Sequence, residues 1–170
     1  MEKFDVYDSY GRKTGKTKYR NEKLQTGEYM LGINAYICNL NGEFLIQKRS
    51  KNKKILPGIW DVHMGHAIEG EESYKTLVRE LKEELGIIFD SSNTYMEKRF
   101  LWDEMNYLID IYFIVTDISV TDCVLQKSEV DAVKYVNLND MIHLIKNMNR
   151  PQGYKKIVYE GINKVLQRLD

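Results

Sequence analysis

Apolar and polar positions alternate along most of the chain in short runs separated by glycine-bearing turns. Residues 30–50, "MLGINAYICNLNGEFLIQKRS", read as strand, Asn41-Gly42 turn and strand, because an Asn-Gly pair between apolar runs is a strong hairpin signal. Upstream, "KFDVYDSYGRKTGKTKYR" holds two strand-like runs around a Gly11–Gly15 turn region, a second hairpin. The period then changes. Leu77, Leu81 and Leu85 recur at i, i+4 and i+8, which predicts a helix over Ser73–Leu85 with one buried stripe. Ser73 is placed to cap its start, and Gly86 stands where a terminating glycine belongs. After it, "RFLWDEMNYLIDIYFIVTDISV" predicts one or two strands forming a long hairpin, and "AVKYVNL" a further strand. Asn137 or Asn139 caps a helix through about Met148, and "YKKIVYEGINKVLQRL" is a final amphipathic helix. This order points to an α/β (α+β) domain, a mixed sheet with helices on its faces. One domain is expected over 1–170, with an N-terminal β-hairpin extension at about 1–28 and C-terminal helices at about 138–170.

Composition narrows the function. Lysine plus arginine equals aspartate plus glutamate at 25 each, so no overall basic field favours nucleic acid or an acidic membrane surface. The start, "MEKFDVYDSYGRK", is too charged for a secretory signal. The most apolar run, "YLIDIYFIV", is interrupted by Asp110 and is too short to span a bilayer. Cys38 and Cys123 stand alone and far apart, which gives neither a disulfide framework nor metal-type spacing. A cytoplasmic address follows as the default.

Residues 65–87, "GHAIEGEESYKTLVRELKEELGI", carry six glutamates. Glu80, Glu83 and Glu84 are related by i, i+3 and i+4 and share a helix face, where like charges repel. A bound cation would remove that repulsion, and clustered carboxylate oxygens suit Mg²⁺ or Mn²⁺. The plainer reading is a solvated acidic face. The wider spacing decides between them. Gly65, Glu71, Arg79, Glu80, Leu81, Glu83, Glu84, Gly86 and Ile87 fill every specified position of G-x5-E-x7-R-E-U-x-E-E-x-G-U, with U aliphatic. Seven fixed identities at average usage arise by chance on the order of once in 10⁸ windows. This is the Nudix box, and the chain resembles the Nudix hydrolase superfamily. "GEFLIQKRS", "LPGIWD" and the strand pair after the box share the likeness.

The resemblance implies a Nudix fold and Mg²⁺- or Mn²⁺-dependent, MutT-like hydrolysis of a small-molecule diphosphate, typically a nucleoside diphosphate derivative. It makes Glu80, Glu83 and Glu84 metal ligands, with the Gly65 carbonyl as a further oxygen. Glu71 and Arg79 pair and shape the loop, or Arg79 orients Glu80. Glu129, just before "VDAVKYV", resembles a later-loop general base or extra ligand, its bland alternative being a solvated acid; Asp103, Glu104 and Asp110 are weaker candidates. The basic run Lys48, Arg49, Lys51, Lys53 and Lys54 either is solvated or receives phosphate oxygens, with Arg49 and Lys54 the chosen contacts. Superfamily habit and the tyrosine-rich composition allow a homodimer.

"DVYDSYGRKTGK", "FLIQKRSKNKKILPGIWD" and "GHAIEGEES" also resemble isopentenyl-diphosphate isomerase. Where that enzyme has a proton-transferring cysteine before Gly-His, this chain has Met64, and two of its metal histidines align with Lys23 and Met30. His66 keeps its identity but lacks those partners, which leaves it a substrate contact or a support for the ligands; His63 is a weaker ligand candidate and His143 carries no signal. The hydrolase is therefore preferred to the isomerase. A non-catalytic nucleotide-binding regulator is disfavoured because every box carboxylate is present.

Overall fold

A computed structural model describes residues 2–169. β1 (Lys3–Tyr7) and β2 (Lys13–Tyr19) form a separate two-stranded hairpin. Seven further strands build one mixed sheet. They are β3 (Met30–Cys38), β4 (Phe44–Arg49), β5 (Trp60–Asp61), β6 (His63–His66), β7 (Thr94–Trp102), β8 (Tyr107–Val115) and β9 (Val130–Val136). Three α-helices are present among the described residues: α1 (Ser73–Leu85), α2 (Leu138–Asn147) and α3 (Gln152–Gln167).

β3 is central. It runs parallel to β8 along its whole length, Met30 facing Tyr107 and Cys38 facing Val115. On its other edge β4 stays only through Ile37↔Leu45 and Cys38↔Phe44 before diverging. The wedge so opened is filled by β5 on β4 and by β6 on β3. That wedge delivers the first glycine of the acidic segment, Gly65, to the middle of the sheet opposite Ile33.

Alternation along β3 feeds two cores. Ile33, Ala35 and Ile37 pack with Leu77, Leu81 and Leu85 of α1 on one face. Tyr36 and Cys38 pack with Met141 and Ile145 of α2 and Tyr154, Val158, Ile162 and Val165 of α3 on the other. The sheet is thus sandwiched between helices, as expected. Leu81 has no solvent exposure, so Leu81→Ala is expected to lower stability by about 2–5 kcal/mol. A lower urea midpoint at unchanged m-value would register it.

Two local expectations are corrected. Ser73 does not cap α1; Glu72 occupies the cap position without a side-chain bond. The Ser73 hydroxyl is instead buried against the Tyr112 hydroxyl at 2.7 Å, a partner on β8 that sequence spacing does not reveal. In the first hairpin the turn closes at Asp8–Arg12, where Asp8 accepts from the Tyr10 and Arg12 amides, and Gly15 lies inside β2. Other signals are met. Asn137 caps α2 by accepting from the Asp140 amide at 2.9 Å, and Gly86 ends α1 at φ 69°, a left-handed conformation costly for other residues.

Candidate active site

The leucine stripe turns α1 so that Glu80 and Glu84 lie against the β6 end of the sheet, while Glu83 points outward. Their side chains are 13%, 14% and 56% exposed. Gly65 makes the close approach possible: a Cβ there would stand 2.4 Å from Glu80 Cγ and 2.8 Å from Cδ. No other residue leaves that space free.

Arg79 organises the cluster. Its Nε and Nη2 donate to the two Glu71 oxygens at 2.8 and 3.0 Å, and Nη2 also donates to the His66 carbonyl at 3.0 Å. Nη1 lies 3.0 Å from Glu80 and 3.2 Å from Glu83. Arg79 thus contacts Glu71 and Glu80 at once. Glu71 also accepts from the Thr76 hydroxyl at 2.9 Å and the Ile68 amide at 3.3 Å, which ties the loop to the first turn of α1.

The loop between β8 and β9 is fastened to the end of α1 by Val124 N–H to Leu85 O and Gln126 N–H to Glu84 O, both 2.9 Å. This brings Glu129 near Glu84. Glu129 is ion-paired with Lys53, and its backbone carbonyl accepts from the Ser50 amide at 2.8 Å. Of the basic run it is thus Lys53, not Lys54, that meets an acid of the site; Lys54 is exposed. Arg49 donates through Nε to the Ile55 carbonyl at 3.3 Å.

Burial first, then the charges of Glu80 and Glu129, push Glu84 up to about 8; Lys53 and Arg49 pull the other way. Burial likewise raises Glu80, with Arg79 opposing. His63, fully buried, donates from Nδ1 to Gln47 Oε1 at 2.9 Å and stands 3.6 Å from Glu84. Burial lowers its pKa to about 3, so it stays neutral and gives Glu84 no countercharge.

Among the described residues, no three acidic, histidine or cysteine side chains stand at mutual ligand geometry. Glu80 and Glu83 are turned to Arg79. The donor chemistry nevertheless suits a hard cation: carboxylate oxygens, the close approach that Gly65 permits, and a Glu84 pushed up by burial and by the charges of Glu80 and Glu129.

The remaining candidates are placed elsewhere. Asp110 is buried and clasped by Arg99 at 2.6 and 2.8 Å, Asp103 accepts from the Tyr29 hydroxyl, and Glu104 is exposed. The Met64 sulfur faces the opposite layer, 2.9 Å from Arg150 Nη2. His143 is exposed on α2. His66 meets the site through its backbone, its amide donating to Glu80 at 3.3 Å. Its ring nitrogens are both engaged, Nδ1 by Arg20 at 2.9 Å and Nε2 by the Tyr107 hydroxyl at 3.1 Å. Neither ring atom is free for a substrate. Arg20 was not foreseen as a neighbour of the site; the only signal was the basic pattern of β2.

Known proteins share both the sequence and the shape. The NUDIX domain family matches residues 28–158. A Nudix hydrolase of Listeria monocytogenes is 39% identical over 142 residues, covering 83% of each chain. Among solved structures, a Deinococcus radiodurans protein superposes with a TM-score of 0.74 at 17% identity, covering 94% of this chain and 98% of its own. The NUDIX domain of Shewanella oneidensis NrtR gives 0.56 at 18% identity, covering 75% and 83%.

Proposed function

The chain belongs to the Nudix hydrolase family, and from that premise we propose that it cleaves a phosphoanhydride bond in a nucleoside diphosphate derivative or related organic diphosphate, with Mg²⁺ or Mn²⁺ as cofactor. The observation that supports this reading is the clustering of Glu80 and Glu129 near the buried Glu84, whose carboxyl burial and those two charges push up to about 8. The solved NrtR domain was crystallised with ADP ribose, a compound of the same diphosphate class.

Glu80, Glu83 and Glu84 would hold the cation, with the Gly65 carbonyl as a further oxygen. When bound, such an ion neutralises diphosphate oxygens and lowers the pKa of a coordinated water. Arg79, fixed by Glu71, keeps the loop in shape and holds Glu80 and Glu83. Glu129 is the proton acceptor or an additional ligand, kept at hand by Lys53. Arg49 and Lys54 would receive phosphate oxygens, with Lys53 beside Glu129 a further cation for them. His66 supports the site through its amide and carbonyl.

The test is a panel of nucleoside diphosphate derivatives and isopentenyl diphosphate incubated with Mg²⁺. Release of phosphate, nucleotide or pyrophosphate is expected from the former class. Isomerised carbon skeleton without phosphate release, or binding without turnover, would contradict the assignment.

A pH dependence follows. Without metal, Glu84 titrates near 8 rather than at its ordinary 4.5. The folded chain then holds a proton that the unfolded chain has lost, so this group's contribution to stability falls as pH rises through that window. Cation binding must release the proton. Affinity for Mg²⁺ is expected to climb with pH and level off above about 8. Calorimetry in buffers of different ionisation heat would detect the released proton; a pH-independent affinity with none released would count against the arrangement.

A further inference from the structure

We propose that Arg20, at the end of the N-terminal hairpin, binds a phosphoryl oxygen of the substrate, so that the hairpin forms one wall of the active site. This rests on the diphosphate-hydrolase reading above and extends it to a residue outside the acidic segment and the basic loop.

The hairpin is built onto the site rather than beside it. Tyr7 and Tyr29 exchange backbone hydrogen bonds at 2.9 Å, which ties β1 to the entry of β3. The Glu69 amide donates to the Lys3 carbonyl at 2.8 Å, and the Gly70 amide to Asp5 Oδ2 at 2.9 Å. β1 is therefore bonded to the same loop that Glu71 and Arg79 shape. Tyr7, Tyr29, Leu31, Ala67 and Leu108 close the apolar contact beneath. β2, paired to β1 through Lys3↔Tyr19, carries Arg20 to the edge of this loop.

There the guanidinium lies 2.9 Å from His66 Nδ1, and the amide of the same histidine donates to Glu80. A guanidinium has only donors, so Nδ1 is the acceptor and the Nε2 proton is left for the Tyr107 hydroxyl at 3.1 Å. The imidazole is thereby locked as a neutral support for Arg20. Arg20, Arg79 and Lys53 bring cations to the site from three separate segments.

Two of those cations have acids of the site as partners: Arg79 has Glu71, Glu80 and Glu83, and Lys53 has Glu129. Among the described residues, Arg20 has Glu2 as its acidic partner, at 2.9 Å, in a pair whose side chains are 49% and 58% exposed. Such a solvent-exposed pair holds weakly. A diphosphate, with two negative charges and several acceptor oxygens, is a better partner for a guanidinium fork than a screened carboxylate. Beside it is a cavity of about 10 Å³ lined by Glu2, Arg20, Met30, His66 and Ala67, room for about one water that an entering oxygen could displace.

The test is calorimetric titration of methylenediphosphonate, which resists hydrolysis, into the full chain at saturating Mg²⁺. Arg20→Gln is expected to weaken binding about tenfold or more, the loss of one charge-assisted contact, and Arg20→Lys to fall between. Affinity for Mg²⁺ alone should not fall in either. Glu2→Gln, which frees the guanidinium, should bind the diphosphonate as tightly as the wild type or more tightly. Wild-type affinity in Arg20→Gln would overturn the proposal, as would an equal loss in Glu2→Gln, which would mean that the pair merely straps the hairpin down. Failure of the wild type to bind the diphosphonate would overturn the hydrolase reading itself.

Discussion

Glu84→Gln is expected to reduce kcat at least ~100-fold with Mg²⁺ present, the scale set by removal of a major electrostatic group from an active site. Glutamine keeps the shape of the side chain and loses its charge. The fold should survive and gain slightly in stability without metal, because burial and the neighbouring Glu80 and Glu129 already work against ionisation of Glu84. Glu83→Gln should lose activity on the same scale even though this side chain is exposed and held by Arg79, since its proposed role lies in the ligand set rather than in packing. Steady-state kinetics alongside urea unfolding separates the two effects. Wild-type turnover in both variants would remove the catalytic reading of the acidic helix.

Gly65→Ala is expected to produce the second largest loss. The new methyl carbon would stand 2.4 Å from Glu80 Cγ and 3.0 Å from its Cβ, so the glutamate cannot keep its present rotamer and the contact with Cβ stays tight in any other. Either β6 shifts away from α1 or Glu80 leaves the cluster. The expected outcome is a fall in kcat/KM of at least about tenfold, since misplacement of a catalytic group by about 1 Å costs up to ~100-fold. Mn²⁺ affinity should weaken in parallel. Overpacking also lowers stability by about 1–3 kcal/mol, so the comparison is made at a temperature where the variant is fully folded. Unchanged metal affinity would mean that Glu80 is not a ligand.

How far the sequence reached depended on whether a feature is local. α1 was legible at both ends of its range because its stripe, its acids and Gly86 all lie within fifteen residues of one another. The Asn137 cap and the β7–β8 hairpin were legible for the same reason. Ser73 failed because Tyr112, which takes its hydroxyl, is distant in the chain. β5 and β6 were not anticipated: "WDVHMGH" has no strand-length apolar alternation, and these short strands exist because β4 diverges from β3.

The same division holds at the site. Spacing alone brought Glu80, Glu83 and Glu84 together. Glu129 was selected by resemblance, and its approach to Glu84 depends on backbone bonds from Val124 and Gln126 that no motif encodes. Within the basic loop the sequence could not rank Lys53 against Lys54, because the choice depends on which side chain faces Glu129. Arg20 was out of reach. Its importance arises from the docking of a hairpin forty-six positions before its histidine partner.

The central claim is that the acids of α1 grip a divalent ion against two linked phosphoryl groups. Isothermal titration of Mn²⁺ into the wild type and into a Glu80→Gln/Glu83→Gln/Glu84→Gln triple variant, each with methylenediphosphonate present, tests it most directly. The account expects saturable uptake by the wild type and none above the diphosphonate's own chelation by the variant. Identical titrations for the two proteins would contradict it.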